Sequence, residues 1–304
     1  MQETLEEVMK KYKLPEKEHE EIKKTIIEMM TFDKFPVPNP TAIIDIAPPA
    51  SGKTGLNGYG VNNFKDNNVV VINSDELKPF HPKVQEIARL YPEYYTKVTD
   101  QESNDWTKSL FDTVLAEGYN VIFEGTGKNT RILETIKSKM SNYRVIVRGM
   151  AVNELNCLLS IIDRYEEQVK HKGWGRLVML DHFYETYENM PETMDAIEKS
   201  SLADEIEIYM RGDIPVEPKR IYRNNTPTNR FPSAKQAILG GRQEDRKTAI
   251  QAYEQNFSRI NRLMMSRESS SSEEKEFLQF IKEKYEEFVK SATTDKTDKL
   301  VGEE

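Results

Sequence analysis

The chain has 304 residues, with 43 lysines and arginines against 51 aspartates and glutamates, a formal charge of −8 at pH 7. This acidic balance argues against a general nucleic-acid-binding surface, and we expect no nucleic-acid partner. No stretch approaches the ~18 continuous apolar residues of a transmembrane helix, so no membrane partner is expected. The start lacks a basic-then-apolar signal peptide, which predicts a cytoplasmic protein, with secretion as an effector left open.

The chain begins with a predicted helical extension over residues 1–35. Apolar residues recur at helical spacing in two parts of it, around Val8 and around Ile26. The proline-rich stretch 35–40 then cannot be helix interior. The extension therefore ends where the next segment, which has strand character, begins.

The central part, residues 36–230, alternates between strands and helices. Segments rich in Val, Ile and Tyr predict strands over 41–46, 68–72, 119–124, 143–151 and 205–210. Between and after them, helical patterns fall at 53–60, 83–91, 102–117, 129–140, 153–171, 177–189 and 191–200. The alternation predicts an α/β domain with a mainly parallel sheet covered by helices. An edge strand at 219–223, after a turn at Gly212-Asp213, can extend it.

The C-terminal region, residues 231–292, predicts two long helices over 232–267 and 272–292. The serine run Ser269–Ser272 separates them. A flexible tail is expected over residues 293–304. The helices are either an accessory module or a layer packed on the central domain, and the sequence leaves both open.

The first predicted strand leads into a candidate phosphate-binding loop, residues 47–54. Ala50, Ser51, Gly52, Lys53 and Thr54 form its second half. Backbone amides there can face an anion, Lys53 can neutralise outer phosphates, and Thr54 can ligate Mg²⁺. The usual first glycine is replaced by Ala47, so the loop must turn with less conformational freedom.

Polar residues also follow the next two predicted strands, at the same edge of the sheet. Asp75 follows the second strand and can accept a proton from a hydroxyl or hold Mg²⁺ through water. Its alternative is a helix N-cap. After the third strand, Glu124 and Thr126 can bind sugar or hydroxyl groups. Farther along, Arg164 and Arg176 flank a charged segment that can close over a transferred phosphate.

The order of these blocks resembles the zeta toxin family of bacterial P-loop kinases over about residues 41–225. The most specific blocks are Ser74-Asp-Glu-Leu-Lys78-Pro-Phe-His-Pro82 and Asn120-Val-Ile-Phe-Glu124-Gly-Thr-Gly127. The resemblance implies a P-loop kinase fold and phosphorylation of a hydroxyl of a nucleotide sugar, such as UDP-N-acetylglucosamine. The expected phosphoryl donor is ATP or GTP with Mg²⁺.

The resemblance also implies a role for each matching residue. Lys53 and Thr54 become the phosphate and Mg²⁺ residues, and Asp75 the base. Arg164 and Arg176 become the pair that stabilises the transferred phosphate. The implied substrate-binding residues are Lys78, Lys108, Glu124 and Thr126.

The sequence departs from the family pattern in its loop and its substrate residues. Ala47 and Ala50 stand for glycines, and Lys108 falls where the family has a substrate-binding glutamate. A lysine there favours an extra anionic group on the substrate. The family's His-Asp pair reads Asp181-His182, with altered spacing.

Other functions stay open at this stage. The acceptor can be another nucleotide-containing metabolite, for example a dinucleotide, or the chain can be a plain ATPase or a nucleoside kinase. A nucleotide-binding regulatory protein that has lost phosphotransfer is a further alternative. An antitoxin is an expected partner, and the acidic helices of residues 1–31 are a candidate inhibitor in cis, with simple packing as the alternative.

Overall fold

The computed structural model describes residues 3–212, 217–267 and 271–301, with side chains as far as Ser291. Its strands are β1 (Thr41–Ile46), β2 (Val70–Ile72), β3 (Val121–Gly125), β4 (Arg144–Met150), β5 (Glu205–Met210) and β6 (Lys219–Arg223). They form one six-stranded sheet in the order β2-β3-β1-β4-β5-β6. Only the β5–β6 pairing is antiparallel among the described strands. The predicted α/β fold and its edge strand are confirmed, whereas Asp213 of the predicted turn lies outside the described residues.

Helices cover both faces of this sheet. They are α1 (Leu5–Tyr12), α2 (Glu16–Thr31), α3 (Lys53–Val61), α4 (Ser74–Leu77), α5 (Val84–Leu90), α6 (Tyr95–Glu117), α7 (Arg131–Lys139), α8 (Glu154–Lys172), α9 (Leu180–Ser200), α10 (Ala234–Met265) and α11 (Ser272–Val301). Because both faces are covered, the central strand β1 is buried from its second residue onward. The carboxyl ends of β1, β2 and β3 consequently meet at one edge, where the loops after them converge.

Two helices differ from the sequence prediction. The helix expected over 102–117 starts at Tyr95, because the side chains of Tyr95 and Val98 pack in an apolar cluster with residues of α1 and α5. The helices expected over 177–189 and 191–200 are one helix, α9, which continues through Pro191. A proline inside a helix costs about 3 kcal/mol. Fully buried apolar side chains on both sides of it, Met190 and Met194, offset that cost.

The N-terminal helices are integrated into the core. Leu14 and Ile26 belong to the same apolar cluster as Ile44 of β1. Both helices pack on α6, and the His19 side chain of α2 contacts the carboxylate of Glu102 on α6. The division of the chain at residue 35 remains a prediction, but α1 and α2 do not form a separate body.

The C-terminal helices pack on the central domain. Of the two alternatives left open by the sequence, an accessory module or a packed layer, the structure shows the packed layer. Helix α10 lies against α8 and α9, and α11 lies against α8 and α10. Part of the serine run, residues 268–270, lies outside the described residues. Helix α11 extends to Val301, so the tail predicted from residue 293 is helical through that residue. The described helices include none that is long and apolar enough to cross a bilayer.

Candidate active site

The loop between β1 and α3 exposes backbone amides where the sequence predicts a phosphate. Gly52 adopts a φ of 106° and directly precedes α3. Lys53 and Thr54 open the helix, so their N–H groups have no acceptor within it. Free amides at a helix N-terminus, together with the positive end of the helix dipole, favour a bound anion.

The two alanines of this loop have different consequences. Ala47 is fully buried, has no positive φ, and donates its N–H to the Gly125 carbonyl at 3.4 Å. A glycine is therefore not required at position 47. Ala50 adopts a φ of 57°, a region that glycine occupies without strain and alanine does not. The loss of conformational freedom expected from the sequence therefore falls on Ala50 alone.

Lys53 and Thr54 supply the side-chain chemistry of the loop. Burial lowers the pKa of the Lys53 ammonium, and three nearby carboxylates act against that shift, those of Glu124, Asp75 and Asp45. Lys53 has no direct ion pair in the ranges the structure describes, which leaves its charge for outer phosphates. Thr54 is exposed, so its hydroxyl is open to Mg²⁺, a cation that prefers oxygen ligands.

Asp75 lies at the carboxyl end of β2, at the start of α4. The Asn73 side chain caps this helix by accepting the Asp75 N–H at 2.9 Å, so the N-cap is Asn73 rather than Asp75. The shortest contacts of two cations with Asp75 reach the same oxygen: Lys78 Nζ lies 2.8 Å and Arg176 NH1 lies 2.6 Å from Oδ1. Oδ2 accepts no hydrogen bond from the described residues, so it can accept one from a substrate hydroxyl.

These contacts fix the protonation state of Asp75. Burial acts to raise the pKa of the carboxyl, but Arg176 and Lys78 outweigh it and hold the pKa well below its usual range. The carboxylate is therefore ionised at neutral pH and is a weak base. Phosphoryl transfer through a loose transition state needs a positioned acceptor more than a strong base, and an ionised Asp75 meets that need.

The Lys78 ammonium forms ion pairs with two carboxylates of the protein. Its side chain is 3% exposed, and its ammonium contacts Asp75 and, at 2.9 Å, Asp100 Oδ1. It lies in the wall of the cleft, but both of its ion pairs are internal. The structure thus favours a role in holding Asp75 over the direct substrate binding predicted from the sequence.

Arg164 and Arg176 converge on Asp75 from α8 and from the segment that follows it. Arg176 pairs with Asp75 directly, and its backbone N–H donates to Gln168 Oε1 at 2.9 Å. Arg164 makes no ion pair within the described part of the chain; burial and the nearby Arg176 lower its pKa, and Asp75 acts against that shift. The predicted pair is therefore brought together, and one guanidinium stays free for an anion.

A cavity of about 550 Å³ opens beside Asp75. Its lining includes one carboxylate, four basic side chains and two aromatic rings, those of Asp75, Lys78, Arg164, Lys172, Arg176, Tyr95 and Trp174. The two rings are 5.1 Å apart between centroids, and Lys172 Nζ lies 5.7 Å from the centre of the Trp174 ring. This composition suits a ligand that combines negative charge with a planar group.

Glu124 and Thr126 lie at the carboxyl end of β3 and are not part of the lining of this cavity. Glu124 accepts a hydrogen bond from Asn57 Nδ2 of α3. Burial raises the pKa of Glu124, although Lys53 acts against that shift. Glu124 therefore borders the phosphate loop. Thr126 follows it in a half-buried position.

Comparison with known proteins agrees with this geometry. Residues 28–226, well over half of the chain, match the family model described as Zeta toxin. The chain belongs to the zeta toxin family. Toxin zeta of Streptococcus agalactiae is 28% identical over 199 residues, which cover 64% of this chain and 69% of the relative. Toxin zeta of Enterococcus hirae is 28% identical over 188 residues, covering 61% of this chain and 65% of the relative.

Solved structures place the chain in the P-loop kinase fold of this family. A structure from the PezAT chromosomal toxin–antitoxin system of Streptococcus pneumoniae aligns with a TM-score of 0.70 at 21% identity, covering 83% of this chain and 98% of that one. A native AvrRxo1-ORF1:-ORF2 complex aligns with a TM-score of 0.52 at 11% identity, over 88% and 85% of the two chains. At these identities the likeness concerns the fold alone.

Two residues at which the sequence departs from the zeta toxin pattern, Lys108 and His182, lie in different environments. Lys108 lies on α6 with 71% of its side chain exposed, and it pairs with Asp112 at 3.0 Å. It is absent from the cavity lining, and its predicted contact with substrate stays a prediction. His182 is half-buried on α9, and burial together with Lys128 and Arg176 lowers its pKa, which favours the neutral imidazole.

Three residues of the site region escaped the sequence analysis. Asp45 of β1 and Arg148 of β4 form a buried ion pair. Arg211, directly after β5, contacts the loop carbonyls of Ala50 and Ser51. The sequence contains a signal for the Asp45–Arg148 pair: each is a charged residue inside an otherwise apolar strand, and a buried charge requires a partner.

Proposed function

We propose that the protein is a kinase that transfers the γ-phosphoryl group of ATP or GTP, bound with Mg²⁺, to a hydroxyl of a nucleotide-sugar-like metabolite. The observation that carries this proposal is the ionised carboxylate of Asp75, which Lys78 and Arg176 hold in place. This carboxylate lies near the Lys53 ammonium, and it lines a cavity that also contains four basic side chains. This is the arrangement that an in-line transfer between two bound ligands requires.

Each residue has one task in the proposed mechanism. The amides of residues 52–54 and the Lys53 ammonium bind the outer phosphates, and the Thr54 hydroxyl is the protein ligand for Mg²⁺. The metal, when bound, neutralises charge on the phosphate oxygens. Asp75 orients the acceptor hydroxyl through Oδ2 and receives its proton. Arg164 and Arg176 stabilise the negative charge that spreads over the transferred group.

The cavity supports a nucleotide-containing acceptor. Arg164 and Lys172 supply positive charge for phosphates, and the Trp174 ring supplies a surface for a planar base. Lys108, the lysine that argued for a different acceptor, is exposed, pairs with Asp112 and does not line the cavity. UDP-N-acetylglucosamine is therefore the first acceptor to test, and a dinucleotide is the second.

The partner and location of the protein are part of the same proposal. The PezAT likeness motivates an antitoxin that binds this chain, and we propose that the kinase acts in the cytoplasm. An inhibitor in cis receives no support from α1 and α2, which pack on α6. Neither helix contributes to the cavity lining.

The decisive experiment is a phosphorylation assay read by mass spectrometry. Purified protein is incubated with ATP–Mg²⁺ and a panel of nucleotide sugars and dinucleotides, and an acceptor that gains one phosphoryl group identifies the substrate. The Asp75→Asn variant should lose about 100-fold or more in turnover while it still binds ATP, because Asp75 lies outside the phosphate loop. Asp195→Asn, at a half-buried position on α9 where the carboxylate pairs with Lys199, is the matched control. ATP binding without transfer to any metabolite would instead indicate a regulatory protein.

A further inference from the structure

Arg211 joins three elements around the phosphate loop. Its NH2 group donates to the Ala50 carbonyl at 2.6 Å, and its Nε donates to the Ser51 carbonyl at 3.3 Å. The same NH2 group donates to Ser160 Oγ at 3.0 Å. Ser160 lies on α8, one turn before Arg164. One guanidinium therefore connects the end of β5, the loop and the helix that carries a proposed catalytic arginine.

The contacted part of the loop is its strained part. Ala50 has a φ of 57°, which disfavours alanine, and its own carbonyl is the closest acceptor of Arg211. The hydrogen bonds from Arg211 exist only while this conformation persists, so they stabilise it. A glycine at position 50 would adopt the same φ without such support.

The second contact controls the direction of an anion-binding amide. The Ser51 carbonyl and the Gly52 N–H belong to one planar peptide unit and point in opposite directions. When Arg211 holds the carbonyl, the Gly52 N–H is turned away from Arg211. Arg211 also has no carboxylate partner within the described ranges, so its charge adds to the positive potential around the loop.

We propose that Arg211 is a positioning residue that holds the phosphate loop in its nucleotide-binding conformation and compensates for alanine at position 50. The part of this role that concerns nucleotide binding rests on the proposed function. The hydrogen bonds from Arg211 to the loop are present in the free protein, so their effect on the loop can be measured without any nucleotide.

The test uses Arg211→Gln, Arg211→Lys, Ala50→Gly and the double variant R211Q/A50G. Arg230→Gln is the control, since Arg230 is an exposed arginine in an ion pair with Glu244. The first measurement is amide hydrogen exchange in the absence of nucleotide. It follows the loop amides that are hydrogen-bonded, those of Ser51 to the Pro48 carbonyl at 3.3 Å, and of Gly55 and Leu56 to the Gly52 carbonyl at 3.1 and 3.3 Å.

We expect exchange at these amides to become about tenfold faster in Arg211→Gln, because the strained conformation loses its support. Ala50→Gly in the same chain should restore most of the protection, whereas Arg211→Lys should restore part of it. Arg230→Gln should leave exchange unchanged. Unchanged exchange in Arg211→Gln, or a double variant as unprotected as Arg211→Gln, would overturn the proposal.

The second measurement is ATP–Mg²⁺ binding and turnover. Arg211→Gln should raise the KM for ATP about tenfold with a change in kcat of less than about threefold, and Ala50→Gly should recover most of that loss. A loss confined to kcat contradicts a role in holding the loop. If the unmodified protein binds no ATP, the proposed kinase function fails, while the exchange measurement still decides the role of Arg211.

Discussion

Asp45 and Arg148 form a bidentate ion pair inside the sheet, two residues before the phosphate loop. Arg148 Nε donates to Oδ1 at 2.7 Å and NH2 donates to Oδ2 at 2.6 Å. The two residues are register partners on β1 and β4, and neither side chain is more than 1% exposed. A Cβ atom on Gly60 of α3 would approach this guanidinium to 2.5 Å, so the helix that begins with Lys53 lies directly on the pair.

Removal of Arg148 should therefore destabilise the fold strongly. Arg148→Met leaves a buried carboxylate without a counterion, which typically costs about 3 to 5 kcal/mol. Burial already raises the pKa of Asp45, and the loss of Arg148 will raise it further. Asp45 is then protonated in the folded state at low pH, so the stability deficit should be smaller at pH 5 than at pH 8. Urea denaturation at both pH values measures the difference.

The double variant D45N/R148M is the control for this interpretation. It removes both charges, so it should recover most of the stability that Arg148→Met loses. If the double variant is as unstable as the single one, packing of the arginine side chain matters more than its charge. The ion pair then does not account for the effect.

Much of the fold was predictable because its signals are local. The strands 41–46 and 205–210 and the helix start at Lys53 agree with the structure to within a residue. These segments combine apolar runs with flanking turn residues, which single-sequence patterns register well. Pro191 shows the limit of such patterns, because a local rule ends the helix there and only tertiary packing keeps it intact.

The site was less predictable, because its contacts are distant in the sequence. Arg211 reaches the loop from about 160 positions away, and no spacing rule connects the two. Lys78 was recognised, but its direction toward Asp75 and Asp100 depends on how α6 packs. Lys108 was assigned by position in a motif, which cannot tell the inner face of a helix from the outer one.

Replacement of Lys78 should change the reactivity of Asp75 more than the binding of substrate. Lys78→Met removes one of the two cations that lower the pKa of Asp75, so that pKa rises toward its usual range. We expect kcat to fall by about 10- to 100-fold, because Asp75 is less well positioned, and the acceptor KM to change by less than about threefold. The acidic limb of the pH–rate profile should move to higher pH.

Lys108→Met is the matched control for Lys78→Met. It removes a lysine from α6 that pairs with Asp112 at the surface, and it should leave kcat and both KM values unchanged. A raised acceptor KM in Lys108→Met would show that the substrate reaches α6. The assignment of the acceptor to the cavity beside Asp75 would then be wrong.

Glu166 should make the stability of the protein depend on pH near neutrality. This residue of α8 is 1% exposed, and burial raises its pKa to about 7. It pairs with Arg267, which also pairs with Glu274. Arg267 acts against the shift, whereas Glu274 and Asp163 reinforce it. Between the ordinary glutamate pKa and about 7, the folded state retains a proton that the unfolded state releases. Stability therefore falls as the pH rises through this interval.

Glu166→Gln should remove that dependence, since glutamine does not titrate. We expect the variant to be more stable than the unmodified protein by about 2 kcal/mol at pH 8 and nearly equal to it at pH 5. Urea midpoints at the two pH values provide the measurement, with Glu283→Gln at an exposed position of α11 as the control. Parallel pH profiles for the unmodified protein and Glu166→Gln would place the titrating group elsewhere.

Deletion of residues 1–34 should reduce stability without raising ATP turnover. The deletion removes two fully buried side chains, Val8 and Ile26, and exposes the surface of α6 that they cover. Ile26→Ala alone should cost about 2 to 4 kcal/mol, which bounds the effect of the full deletion from below. Thermal melting of both variants tests the packing, and ATP turnover tests inhibition. A truncated protein that melts normally and turns over faster would restore the idea that these helices mask the site. We expect a lower melting temperature and no gain in turnover, because α1 and α2 lie on α6 and leave the phosphate loop uncovered.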